Sequence, residues 1–138
     1  MSTHYVRRQT EETEQQAVIQ WARMSSGRYP ELALLHHIPN GGNRNAREGA
    51  KLKRMGVLAG VPDLHLPAAR GGYISLYIEM KFGDGRTSKE QKEFISLATE
   101  FDNCCRVCYS AEEAIETIKA YLDNRITNSH EKDQTDRD

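Results

Sequence analysis

The strand signal Tyr73-Ile74-Ser75-Leu76-Tyr77-Ile78-Glu79-Met80-Lys81 is the most apolar in the chain, and it ends on two opposite charges. Tyr73, Ile74, Tyr77 and Ile78 are β-branched or aromatic, as in a strand that packs on a core. A second strand, Val61-Pro62-Asp63-Leu64-His65-Leu66-Pro67, precedes it and is bounded by prolines. Ala68-Ala69-Arg70-Gly71-Gly72 separates the two, a gap that suits an antiparallel hairpin. The remaining elements have to be arranged around this hairpin.

Upstream, residues 1–9 read as a flexible arm and a helix begins at Thr10. Thr10 and Thr13 are capping candidates, acids fill the first turn, and the helix ends near Ser25-Ser26-Gly27. Val18, Trp21 and Ala22 mark its buried face, and Glu14 falls in line with that face, an expensive position for an unpaired carboxylate. Ala33–Pro39 predicts a short strand that stops at Pro39-Asn40-Gly41-Gly42, and residues 45–55 predict a second helix. After the hairpin come a helix from Ser88 to Glu100 with Phe94, Leu97 and Ala98 inward, a strand over 104–109 and a helix over 111–122. Residues 123–138 are polar and predict a disordered tail. The order α-β-α-β-β-α-β-α gives an α/β domain over 10–122, with a central mixed β-sheet flanked by helices. At 138 residues there is one domain plus tails.

Glu79 and Lys81 are two apart on a strand and therefore share a face, while Met80 points to the other. A hairpin centred on Arg70 sets Asp63 opposite Tyr77, with Glu79 as its diagonal neighbour at about 7–8 Å. Two carboxylates at that reach can share a divalent cation. Magnesium takes one or two carboxylates, keeps several waters and accepts phosphate oxygens. It generates hydroxide from bound water and neutralises charge on a phosphodiester. Lys81 stands ready to orient or deprotonate the attacking water, and Glu14 to complete the metal shell.

Gly60-Val61-Pro62-Asp63 followed by Tyr77-Ile78-Glu79-Met80-Lys81 resembles the Pro-Asp…Glu-x-Lys signature of the restriction-endonuclease-like nucleases. Ile38-Pro39-Asn40-Gly41-Gly42, Ala50-Lys51-Leu52-Lys53 through Met55-Gly56-Val57, and Ser88-Lys89-Glu90-Gln91-Lys92 narrow the likeness. Together they are similar to the VRR-NUC family in its compact stand-alone form found in phages and bacteria. The resemblance implies a restriction-endonuclease-like core and a metal-dependent DNA endonuclease. Asp63 and Glu79 would bind Mg2+, with Mn2+ able to substitute, Lys81 would serve the water, and Glu14 would match the acidic residue of the first helix. Gln91 would match a glutamine lining the site. It also implies branched DNA as substrate and a homodimer, as in Holliday-junction resolvases. A nuclease for linear duplex, flaps or ends, and a DNA-binding module without catalysis, are the alternatives.

Net charge is -1, which taken alone speaks against binding nucleic acid by bulk charge. The total hides a contrast. Arg44, Arg47, Lys51, Lys53 and Arg54 face a single acid, Glu48, within 43–54, whereas the segment from Asp123 onward is acidic. The basic segment adjoins Asn40 and Gly41 and suits phosphate contacts that do not read sequence. His37 stands at the edge of the site. Cys104, Cys105 and Cys108 have neither the spacing of a zinc site nor that of a secreted disulfide framework. With no apolar run of 18 residues, the expected setting is the cytoplasm.

Overall fold

The computed structural model describes residues 3–39 and 45–129, with residues 3–9 as backbone only. Helix α1 (Thr3–Met24) starts well ahead of the expected Thr10. Nothing in residues 3–9 is a helix breaker, and threonine is tolerated inside a helix as well as at its cap, so Thr10 sets no boundary. Pro30 opens a 3-10 turn, Pro30–Leu34, which takes the first two residues of the strand expected over Ala33–Pro39. Leu32 and Leu35, three apart, both enter the core, which the period of a 3-10 turn allows and a strand does not. Only His36–His37 remains extended, as β1.

Helix α2 (Ala46–Arg54) is capped by Asn45, whose side chain accepts the Glu48 amide at 2.8 Å. Strands β2 (Leu64–Leu66) and β3 (Ser75–Met80) form the hairpin. Helix α3 (Lys89–Glu100), strand β4 (Asn103–Cys108) and helix α4 (Ala111–Leu122) follow. The sheet order is β1-β2-β3-β4, antiparallel except for the β3–β4 pair, which a helical crossover makes parallel. Among the described residues, four helices thus flank a four-stranded mixed sheet, the arrangement of a restriction-endonuclease-like core.

Alternation along the strands decides the layers. Leu64, Leu66, Leu76, Ile78 and Met80 join Cys104 and Cys108 on one face, buried against Val18 and Ala22 of α1 and Ala114, Ile118 and Tyr121 of α4. His65, Tyr77 and Glu79 are left for the other face. There α3 sits on β3 and β4, with Phe94 edge-on to Tyr77 at 5.3 Å. No residue of α3 is fully buried, and Leu97, expected inward, is 57% exposed.

The expected tail is ordered over 123–129. Ile126 packs on the core, and the Asn128 amide donates to the Gly71 carbonyl at 2.8 Å while its side chain donates to Asp102 at 2.9 Å. Gly71 has φ +58, and a Cβ there would stand 2.2 Å from the Ile126 carbonyl oxygen, so only glycine admits this return. Among the described residues no helix is long and apolar enough to cross a membrane.

Candidate active site

Asp63 lies at the mouth of β2, directly after Pro62, whose side chain is fully buried. Its Oδ2 accepts the Met80 amide at 2.8 Å, and its carbonyl accepts the Ile38 amide at 2.8 Å and a bond with His37 Nδ1 at 2.7 Å. The ladder pairs Leu64 with Ile78 and His65 with Tyr77, so one step further sets Asp63 opposite Glu79 rather than Tyr77. The hairpin turns at Gly71–Gly72, both at positive φ and closed by the Arg70–Tyr73 bridge, not at Arg70. The displacement is an even number of residues. Face assignments therefore survive it, and the two carboxylates become direct cross-strand neighbours instead of diagonal ones.

Glu79 is 3% exposed, and its Oε2 finds no hydrogen-bond partner among the described residues. Its Oε1 stands 3.8 Å from Lys81 Nζ. Burial, first, and then the hydrogen bond and charge of Asp63 raise its pKa to about 9, against the opposing pull of Lys81. The charge of Glu11 adds to the rise. A cation bound between the two carboxyl groups would relieve the repulsion that raises Glu79.

Lys81 is anchored at both ends. Its amide donates to the Cys108 carbonyl at 2.8 Å, and its Nζ donates to Gln91 Oε1 at 3.0 Å. Gln91 Oε1 also accepts the Ser88 amide at 2.8 Å, and Ser88 Oγ accepts the Gln91 amide at 3.1 Å, the reciprocal bonds of a capping box. The first turn of α3 and the lysine are thus held through one side chain. The loop before Asp63 leans on that same turn. Gly60, at φ +88, approaches so closely that a Cβ would lie 2.3 Å from the Glu90 carbonyl oxygen.

Glu14 is engaged elsewhere: its Oε2 accepts the Ala111 amide at 2.5 Å at the start of α4. The helix acid whose charge acts on Glu79 is Glu11, three residues earlier on α1. The sequence leaves Glu11 and Glu12 as alternatives to Glu14 for the acid of the first helix, and the i,i+3 relation keeps Glu11 and Glu14 on one helix face. Arg47, Lys51, Lys53 and Arg54 are exposed on α2, which buries no residue. Asn40, Gly41 and Arg44 lie outside the described residues. Sequence reasoning also passed over His65, which stacks on Tyr77 at 4.2 Å and touches His36 edge-on at 5.3 Å. Burial and the charge of His36 both lower its pKa.

No group of three or more His, Cys, Asp or Glu side chains stands in metal-binding array among the described residues. The pair Asp63–Glu79 nonetheless suits a hard divalent cation. It offers oxygen donors only, one of them buried and unpartnered, and magnesium needs no more than one or two protein carboxylates.

The family model described as the VRR-NUC domain matches residues 4–112. A solved structure described as a VRR_NUC domain protein superposes with a TM-score of 0.72 at 34% identity, over 83% of this chain and 89% of that one. No curated protein matches the sequence.

Proposed function

Because the chain belongs to the VRR-NUC family of nucleases, we propose that it is a divalent-metal-dependent endonuclease that hydrolyses phosphodiesters in branched DNA, in the manner of a Holliday-junction resolvase. The observation that carries this reading is the buried Glu79, with its orphaned Oε2, paired across the strands with Asp63 and with a lysine held beside it. Asp63 and Glu79 would hold Mg2+ or Mn2+, with Glu11 or Glu14 completing the set directly or through water. When bound, the cation lowers the pKa of a water ligand and neutralises phosphoryl charge. Lys81 Nζ, aimed by Gln91, donates to the attacking water or to a phosphoryl oxygen and can move its proton. Arg47, Lys51, Lys53 and Arg54 hold phosphates on either side of the scissile bond, and Asn40, Gly41 and Arg44 extend that contact.

A homodimer fits the two strands that a junction presents for cutting. Leu97 and Phe101, 57% and 65% exposed, with Ile74 beside Asp102, offer an apolar surface for the second copy. Light scattering with and without DNA reads the dimer, and a monomer under both conditions removes it.

The decisive experiment incubates labelled four-way junctions, flaps and linear duplex with Mg2+ or with EDTA, using wild type and Glu79→Gln side by side. Metal-dependent cutting of junctions, abolished in Glu79→Gln, is expected. Cleavage without metal, or full activity in Lys81→Ala, refutes the mechanism. Equal cutting of plain duplex identifies a linear-duplex nuclease, and junction binding without cutting in Mn2+ a non-catalytic module. Glu11→Gln and Glu14→Gln, assayed by Mn2+ affinity in calorimetry, separate the metal-facing acid from the one that caps α4.

A further inference from the structure

The two faces of the sheet are covered unequally. Helices α1 and α4 seal the core face, whereas on the face that carries Glu79 helix α3 lies over β3 and β4. Towards β1 the floor of that face is made of imidazoles. Register pairs His36 with His65 and His65 with Tyr77, so the three form one row across three strands, directly behind the Asp63–Glu79 row. The rings touch in sequence: His65 lies nearly parallel on Tyr77, 4.2 Å apart at 16°, and His36 meets His65 edge-on at 5.3 Å and 86°. His36 is exposed, and the bond between its Nδ1 and the Leu34 carbonyl at 2.8 Å fixes the ring.

This row has the chemistry of a stacking surface and not of a phosphate clamp. Its members are flat rings locked against one another, with no lysine or arginine among them. Successive rows along a strand are about 6.6–6.8 Å apart, comparable with the step between nucleotides of an extended strand. A DNA strand that runs along the β-strands with its scissile phosphate at Asp63–Glu79 would bring its neighbouring nucleotide to this row, where His36 is the exposed ring. In a duplex, that nucleotide's base is stacked on its own neighbours and has no free face to offer. We propose that His36, braced edge-on by the stacked pair of His65 and Tyr77, forms a stacking shelf for an unpaired nucleobase next to the scissile phosphate. The shelf deepens the nuclease reading and rests on it: it makes the substrate a branch or flap with at least one unpaired nucleotide at the cut site.

The test uses oligonucleotides carrying 2-aminopurine at the unpaired position of a flap or open junction, and a fully paired duplex as control. The full chain binds them in EDTA, where nothing is cut. Wild type is expected to quench the probe in the branched DNA. His36→Ala, at an exposed position where the fold has little to lose, should weaken binding of branched DNA roughly 5- to 150-fold and abolish the quench. Its affinity for duplex should stay unchanged, and His36→Phe, which keeps a ring, should retain quench and affinity. Three results overturn the shelf: wild type that does not quench the probe, His36→Ala that binds and quenches like wild type, or a loss that is equal on duplex. Cleavage of the same DNAs by wild type in Mg2+ is read separately, so failure of the nuclease reading is distinguishable from failure of the shelf.

Discussion

Replacing Glu79 by glutamine should stabilise the metal-free protein, and by an amount that depends on pH. The Glu79 carboxyl is raised from its ordinary 4.5 to about 9, so the folded chain keeps a proton that the unfolded chain releases. Wherever the folded state binds more protons, stability falls as pH rises, here from 4.5 up to about 9. Each pH unit in that window costs about 1.4 kcal/mol, so the loss reaches about 3 kcal/mol at pH 7 and has an upper bound of about 6 kcal/mol near pH 9. At 3% exposure, solvent screens little of it. Glutamine has nearly the same shape, cannot ionise, and can donate to Asp63. Glu79→Gln should therefore match wild type at pH 4.5 and exceed it by up to about 3 kcal/mol at pH 7, on the order of 10 °C in Tm. Urea and thermal unfolding in EDTA at pH 4.5, 7 and 8.5 measure the difference, in which titrating groups that do not interact with Glu79 cancel. Added Mg2+ should raise wild type towards the variant. A variant no more stable than wild type at pH 8.5, or a gain that does not change with pH, would show that Lys81 already compensates the buried charge.

Gln91→Ala removes both the capping-box bond and the bond that aims Lys81, so it should lose about 1 kcal/mol of stability. Its kcat should fall well beyond what that loss explains, while KM for DNA stays near wild type; unfolding curves paired with steady-state kinetics separate the two effects. Gly60→Ala forces a Cβ against the Glu90 carbonyl at a left-handed φ, and should cost about 2–4 kcal/mol in urea unfolding. Charge removal on α2 acts on binding alone: Lys51→Gln with Lys53→Gln should leave Tm unchanged. It should also reduce the slope of log affinity against log salt, read by fluorescence anisotropy, by up to about 0.9 for every phosphate that is no longer neutralised.

Residue alternation made the layers of this protein legible before any coordinates. The period of two along Leu64–Leu66 and Ser75–Met80 separates Leu76, Ile78 and Met80 from Tyr77 and Glu79, and any register shift by an even number of residues respects that separation. The pairing of Asp63 with Glu79 on one face was accessible for the same reason, although the expected turn at Arg70 was wrong. Helices α3 and α4 lie where hydrophobic spacing placed them, over 88–100 and 111–122, and the side chains of Ser88 and Ser110 cap them. The extent of α1 was not legible, because threonines that can cap a helix can equally sit within one. The order of residues 123–129 was also hidden: Asn128 and Ile126 are held by Gly71, Asp102 and the core, partners distant from them along the chain.

Local chemistry therefore settled which side chains could meet: two acids and a lysine on one face of a strand pair. Three-dimensional packing settled which of them do. It took Glu14 to the start of α4 and brought the charge of Glu11 to bear on Glu79. It fastened Lys81 to Gln91 across a loop and laid His36 on His65 beside the carboxylates. The physical reason is the range of the forces. Periodicity and capping act within a few residues and are written in the chain, while burial, desolvation and shared charge depend on neighbours that only the closed fold supplies.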